Sequence, residues 1–376
     1  PSIGLERSYK EQEIEVTQEG PTPDQNVKKK FNAKIGVNTL TVEQSLTNPY
    51  SWYKDHRLAG TQVDLAETQL ASERLNIANQ VRVQWYKTVT AAAALDYAAK
   101  NLEGTKADYS LNQKRFSRGF LSKPDADRGK VVLATAEANM VSARNQFRKE
   151  LENLKFLLGM ERNNPISIDT ALPEGFDFFA MSAEEILKLI TADASLTLKQ
   201  KELALTTAEL EHDKSVRSLL PDVSVGVRYQ KSDPNTEEFE PQGPEYFAAI
   251  KWTLYAGGQT YYQSRQASAA KQAAQLDYDL AKAQFDKDVY QAVRDLETFK
   301  ANLTAKRDNV KILSAIYEDS RQRFQQGLVS SKVVTDDYTA LLQAQNEYLG
   351  TINQIAAGVA SVSNLAGNPK LFDKLF

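Results

Sequence analysis

The sequence offers few groups able to do chemistry, and their spacing argues against catalysis. His56 and His212 are its two histidines. Neither has a carboxylate or a second histidine at ligand spacing, so a surface or junction role fits them better than metal binding or acid–base work. Cysteine is absent, which removes thiolate metal sites, catalytic thiols and any disulfide framework. No nucleophile elbow, phosphate loop or dinucleotide fingerprint occurs, and the pair Gly257-Gly258 reads as a bend out of a strand. What remains are carboxylates placed shortly after a glycine: Asp125 and Asp127 after Gly119, and Asp336 and Asp337 nine and ten residues after Gly327. Carboxylates at the start of a helix favour its macrodipole. Such chemistry needs no cofactor, and the residues predict no enzyme. Forty-six basic residues against 49 acidic ones leave a net charge of −3, which is no surface for nucleic acid.

Those glycines belong to a motif written twice. "RFSRGFLSKPD" begins at Arg115 and "RFQQGLVSSKV" at Arg323, with their glycines 208 residues apart. The same shift brings Arg57 onto Arg265, Asn101 onto Asn309, Tyr109 onto Tyr317 and Gly159 onto Gly367. A segment of about 110 residues is therefore duplicated. Upstream the register becomes 220, matching Pro1 to Pro221 and Tyr9 to Tyr229; the difference is an indel that a connection tolerates. A glycine where a helix ends supplies the positive φ that such ends often need, so Gly119 and Gly327 are expected to turn two helical hairpins.

The elements that carry the motifs are long helices. Val289, Leu296, Leu303, Val310, Tyr317 and Phe324 recur every seven residues, as do Val334, Leu341, Tyr348, Ile355 and Val362. The first copy answers with Leu95, Leu102, Tyr109 and Phe116, then Ala126, Leu133, Met140, Phe147 and Leu154. Sustained heptads mean helices wound on neighbours. No proline interrupts Tyr50 to Ser117, so a helix there would run roughly 100 Å.

Strand signals lie between the heptad blocks. In "VSVGVRYQ" Val223, Val225, Val227 and Tyr229 share one face, and in "EYFAAIKWTLY" Tyr246, Ala248, Ile250, Trp252 and Leu254 do the same. Weaker counterparts are expected around Ile3 to Tyr9 and Ala33 to Val42. One apolar and one polar face suit a strand between lipid and lumen. Four strands cannot close a barrel, and open edges cannot sit in lipid, so several copies would have to complete it. The loop "KSDPNTEEFEPQGP" reads as an exposed hairpin connection. Residues 163–182 are irregular, Ser182 and Glu185 stand at capping-box spacing, and a second helix is expected over about Ser195 to Ser218. Its counterpart, together with a leader, is expected upstream of Pro1. No run of ~18 apolar residues occurs to make a membrane-spanning helix.

Strand hairpin, helical hairpin, mixed segment, then strand and helical hairpin again: the layout resembles the TolC-like outer-membrane efflux protein family. The pieces that carry the likeness are the two tip motifs, "LPDVSVGVRY", "WTLYAGGQTYYQSRQA" and "NPYSWYKDHRLA". The resemblance implies an α+β chain made mostly of long coiled-coil hairpins, contributing four strands to a trimeric transmembrane β-barrel. Barrel strands would occupy 1–48 and 221–256, and periplasmic helical hairpins 49–160 and 257–367. A mixed equatorial segment would fill 161–220, with a tail over 368–376. It further implies a homotrimeric exit duct in the outer membrane with a long periplasmic extension. That duct would be passive and serve efflux or type I secretion, driven by an inner-membrane transporter through a periplasmic adaptor. Gly119, Phe120, Leu121 and Ser122, with Gly327, Leu328, Val329 and Ser330, would form the tip that the adaptor engages. Asp336 and Asp337 would gate the pore, with Val333 at the family's other acidic position. Pro49, Gly257 and Gly258 would mark the strand-to-helix junctions, and the lipid of the outer membrane would surround the strands.

The alternative is a soluble coiled-coil scaffold. It accounts for the heptads but leaves the apolar strand faces, recurring beside Tyr229, Tyr246 and Trp252, without a purpose.

Overall fold

The computed structural model describes residues 2–18, 27–46, 49–170, 172, 183–217, 220–232, 243–253 and 255–375. Elements follow in the order β1 (Ser2–Gln18), β2 (Val27–Ser45), α1 (Pro49–Ser117), α2 (Lys123–Leu157), α3 (Ala183–Leu189), α4 (Leu196–Arg217), β3 (Asp222–Ser232), β4 (Glu245–Lys251), α5 (Gln259–Gln326), α6 (Ser331–Leu365) and α7 (Lys370–Leu375). A 3-10 turn at Ala192–Ala194 precedes α4. The 208-residue shift carries both ends of α2 onto the ends of α6. It likewise carries the positive-φ glycines Gly119 and Gly159 onto Gly327 and Gly367. No described helix is long and apolar enough to cross a membrane. Ser182, Leu254 and most of the acidic loop after β3 lie outside the described residues, as does Pro1.

The chain divides into two compact units, the first made of Pro1–Asp64 and Leu203–Gln275. It holds an antiparallel sheet in the order β1-β2-β3-β4. Its register sorts side chains by chemistry, because directly opposed residues share a face. Ile3, Val42, Val227 and Tyr246 form one row, with Leu5, Leu40 and Tyr229 beside it. On the other face Glu6, Thr39 and Gln230 align, as do Thr41, Arg228 and Glu245. There Ser45 donates to Asp222 at 2.6 Å, and the Phe247 ring lies against Gly226 so closely that a Cβ would meet it at 2.4 Å. The apolar face is bare: Ile3, Leu5, Tyr246 and Ile250 are each at least 74% exposed.

Two differences from expectation stand out. The first hairpin is longer than the second, because pairing continues through charged residues whose apolar alternation has faded, with Glu11 opposite Lys34 and Glu15 opposite Lys30. And β4 stops at Lys251, leaving Trp252 beyond the strand and exposed. In the same unit α1 and α4 exchange reciprocal ion pairs, Lys54 with Asp213 at 2.6 Å and Lys214 with Asp55 at 2.8 Å. The Lys54 hydrogen bond holds the Asp213 carboxyl below its usual range.

The second unit comprises Leu65–Glu202 and Leu276–Phe376. Its centre is α6, whose Ile352, Ile355, Val359 and Val362 are wholly buried. From α5 come the heptad residues Val289, Leu296 and Leu303, each worth about 2 kcal/mol once removed from water. The contact from α1 adds a polar row to apolar side chains such as Val83, Tyr86, Ala94 and Tyr97. Asn79, Thr90, Asn101 and Asn112 recur every eleven residues and are all at least nine-tenths buried. Asn79 donates to Asn364 at 2.7 Å, Thr90 to Asn353 at 3.1 Å and Asn101 to Gln345 at 3.2 Å. An eleven-residue spacing is 3.67 residues per turn, which keeps such positions on one side of a nearly straight helix. The first copy's heptads are accordingly less covered than the second's: Leu95, Leu102 and Tyr109 are half-buried and Phe116 is exposed.

Gly367 has φ +62°, and a Cβ there would stand 2.1 Å from the Ala194 carbonyl oxygen; Gly159, at φ +66°, faces open space. Gly367→Ala is expected to cost about 3 kcal/mol, from left-handed strain plus overlap, and Gly159→Ala about 1 kcal/mol from strain alone. Denaturant midpoints followed by circular dichroism check the difference; equal losses would remove the role of the Ala194 contact.

Candidate functional site

The repeated motif builds the same turn twice. Phe120 N–H donates to Arg115 O at 2.9 Å and Gly119 N–H to Phe116 O at 3.0 Å; Leu328 and Gly327 repeat both bonds to Arg323 O and Phe324 O at the same distances. This is a Schellman motif, with glycine at the left-handed position and an apolar residue following it. Gly119 has φ +78° and Gly327 φ +79°. The apolar residues find no cover, since Phe120 is 79% and Leu328 70% exposed. Leu121 and Val329 are half-buried, and Ser122 and Ser330 are exposed. Ser122 caps α2, accepting from Asp125 N–H at 3.3 Å while its hydroxyl donates to the Asp125 carboxylate at 2.6 Å. Asp125 is therefore occupied by capping, as a helix N-terminus favours. Ser330 stands at the same place before α6 without a side-chain cap bond.

The two candidate gate residues differ in surroundings. Asp336 is exposed and 2.5 Å from Lys332 one turn earlier. Asp337 is half-buried and accepts from the Ser320 hydroxyl of α5, so it ties the hairpin together.

Arginines join the two turns. Arg115, in the last turn of α1, donates from Nη1 to Phe324 O at 2.7 Å and from Nη2 to Gln325 O. Its guanidinium lies over the Phe324 ring at 5.5 Å. Cations at a helix C-terminus satisfy carbonyls that have no partner within the helix. Two turns above, Arg321 of α5 grips Asp108 of α1 through Nε at 2.9 Å and Nη2 at 3.1 Å. Both side chains are 16% exposed. That bidentate bond, ahead of the opposing effect of burial, holds the guanidinium far above its ordinary range. Tyr317 and Tyr338 pack beside it with ring centroids 5.6 Å apart. Burial, then the Asp108 charge, pushes the Tyr317 phenol up to about 12. A cavity of about 30 Å³ lies among Thr105, Asp108, Asn112, Tyr317 and Tyr338. The Asn112 Oδ1 is buried there without a protein partner, beside space for about one water.

None of this is a catalytic or metal centre. His56 stacks on Trp52 and His212 lies 3.7 Å from Asp213; no metal-binding group of three occurs among the described residues. At the junctions, Pro49 is the first residue of α1. Gly257 and Gly258 take φ +61° and +82° before α5. The motif repeat points to both turns; the Asp108–Arg321 pair has no signature in it, and the buried amides of α1 are marked only by their eleven-residue spacing from Asn79.

A family model described as "Outer membrane efflux protein" matches residues 1–160 and 191–368. The alkaline protease secretion protein AprF of Pseudomonas aeruginosa is 22% identical over 250 residues, which make up 65% of this chain. That stretch is 51% of AprF, so the match spans about half the length of this relative. Among solved structures, the outer membrane protein VceC of Vibrio cholerae superposes with a TM-score of 0.79 at 17% identity, covering 98% of this chain and 87% of that one. The CmeC outer membrane channel of Campylobacter jejuni gives 0.79 at 14% identity, covering 97% and 78%.

Arg321→Met leaves Asp108 without its cation in a mostly dry seam and is expected to cost about 2 kcal/mol. Lys332→Met, which unpairs only the exposed Asp336, should stay within about 0.5 kcal/mol; denaturant titration compares them. The folded state holds the Tyr317 proton above the ordinary 10.0, so its contribution is intact below pH 10 and lost as the pH climbs toward 12. Tyr86, also near 12 through burial, acts in the same direction. Tyr317→Phe should therefore make alkaline unfolding shallower, with phenolate absorbance as the readout; an unchanged profile would dismiss Tyr317 as a contributor.

Proposed function

The chain belongs to the outer membrane efflux protein family, and on that premise we propose that three copies assemble into a passive exit duct through the outer membrane, for efflux or type I secretion. One observation carries this reading: a four-stranded sheet with a bare apolar face, a polar face and two unpaired outer strands. Pairing β4 of one copy with β1 of the next gives twelve strands and no free edge, which is the condition for strands to stand in lipid. Apolar residues such as Leu5, Leu40 and Ile250 then meet lipid, while Glu6, Thr39 and Arg228 line water. Trp252 and Tyr255, exposed where β4 leads into α5, suit the interface between the two.

The helical hairpins extend the duct into the periplasm, with the Gly119 and Gly327 turns at its far end. Phe120, Leu121 and Ser122, with Leu328, Val329 and Ser330, engage a periplasmic adaptor linked to an inner-membrane transporter. Exposed Phe120 and Leu328 support this, because apolar side chains at a turn are otherwise costly to leave uncovered. Asp336 supplies one carboxylate per copy to a cation-preferring constriction, tempered by Lys332, whereas Asp337 serves the hairpin through Ser320.

The purified chain is expected to need detergent and to run there as a trimer by light scattering; a monodisperse, detergent-free monomer would overturn the duct. In planar bilayers Asp336→Ala should raise conductance or weaken cation preference, and Asp337→Ala should leave permeation selectivity unchanged. The reverse pattern would move the gate to Asp337.

A further inference from the structure

The tip contact inside one chain uses half of a repeated surface. Arg115 of α1 holds the carbonyls of Phe324 and Gln325 at the end of α5, and Phe324 beneath it is 6% exposed. The repeat supplies a second arginine and a second ring, Arg323 and Phe116. Arg323 reaches Asp319 of its own helix at 2.8 Å with both side chains more than half exposed, and Phe116 is 45% exposed. The same holds higher up. Gly104 and Asp108 of α1 receive Arg321 of α5; at their repeat positions on α5 stand Ile312, 57% exposed, and Ile316, 43% exposed. Two isoleucines one turn apart thus face outward beside Arg323 on a helix whose opposite side is packed.

We propose that this outer face of α5 receives the last turns of α1 from a second copy of the chain, deepening the trimeric reading on which it rests. Arg323 donates to the carbonyls of Phe116 and Ser117 of the neighbouring copy and covers its Phe116 ring, repeating what Arg115 does within the chain. Ile312 and Ile316 pack near that copy's Gln113, the repeat position of Arg321. The seam between copies therefore has the arginine clasp but not the buried ion pair. It is the weaker of the two kinds of seam.

The test places the photo-crosslinking residue benzoylphenylalanine at Phe116 in the full chain, in detergent, with Arg323 retained. The expected result is a dimer-sized band whose linked peptide maps to 312–323 of α5, cut several-fold by Arg323→Ala and largely kept by Arg323→Lys. Benzoylphenylalanine at Phe324 is the control and should link within one chain, leaving monomer size unchanged. A sample that is trimeric by light scattering but links Phe116 elsewhere, or not at all while the control links, overturns the clasp and leaves the duct standing. A monomer in light scattering overturns both.

Discussion

A strand edge carries a row of amide and carbonyl groups that must bond to something, and in hydrocarbon water is not there to oblige. The outer edges of β1 and β4 present that demand in every copy. The sheet cannot satisfy it alone by folding, since four strands are too few to close and both faces are already committed, one to apolar and one to polar surroundings. On the proposed reading the backbone itself asks for a second copy before any side chain chooses a partner. On the same reading the helical hairpins inherit the consequence: an α5 face that is surface in one chain would become interior when copies meet. In the proposed assembly Phe116, Ile312 and Ile316, exposed in the single chain, would be covered.

The two helical copies meet α6 by different means. From α5 comes a heptad of aliphatic side chains, whose burial is non-directional and supplies most of the energy. From α1, beside apolar side chains such as Val83 and Tyr97, come amides and hydroxyls whose bonds are worth little net but cost much if mismatched. The first seam makes the bundle stable and the second fixes its axial register, because sliding α1 along α6 would strand Asn79, Thr90 and Asn101 without partners.

The turns, the helices between them and the second strand hairpin were legible in sequence because each rests on a local rule: glycine after an Arg-Phe pair, seven-residue spacing, alternation of two. What escaped had no such local signature. The outer half of the first hairpin pairs residues whose apolar alternation is diluted by lysine and glutamate. The buried amides of α1 look polar in a count of heptads, and only their eleven-residue recurrence marks them as interior. The Asp108–Arg321 pair joins positions that the repeat itself does not relate, since the shift places isoleucine and glutamine there. Its existence depends on how two helices happen to be rotated against each other. The inequality of Asp336 and Asp337 likewise comes from a serine on another helix.

The grip of Arg115 falls on peptide carbonyls, which every residue type provides. Substitution at Gln325 would leave that acceptor in place, so the contact constrains shape and hardly constrains spelling. Neighbouring positions are released from co-evolving with the arginine. After the duplication, the surface beyond each glycine was free to drift on its own course, Phe-Leu-Ser-Lys-Pro in one half and Leu-Val-Ser-Ser-Lys in the other. The two halves thereby carry different surfaces beyond their glycines without risking the closure that holds them side by side.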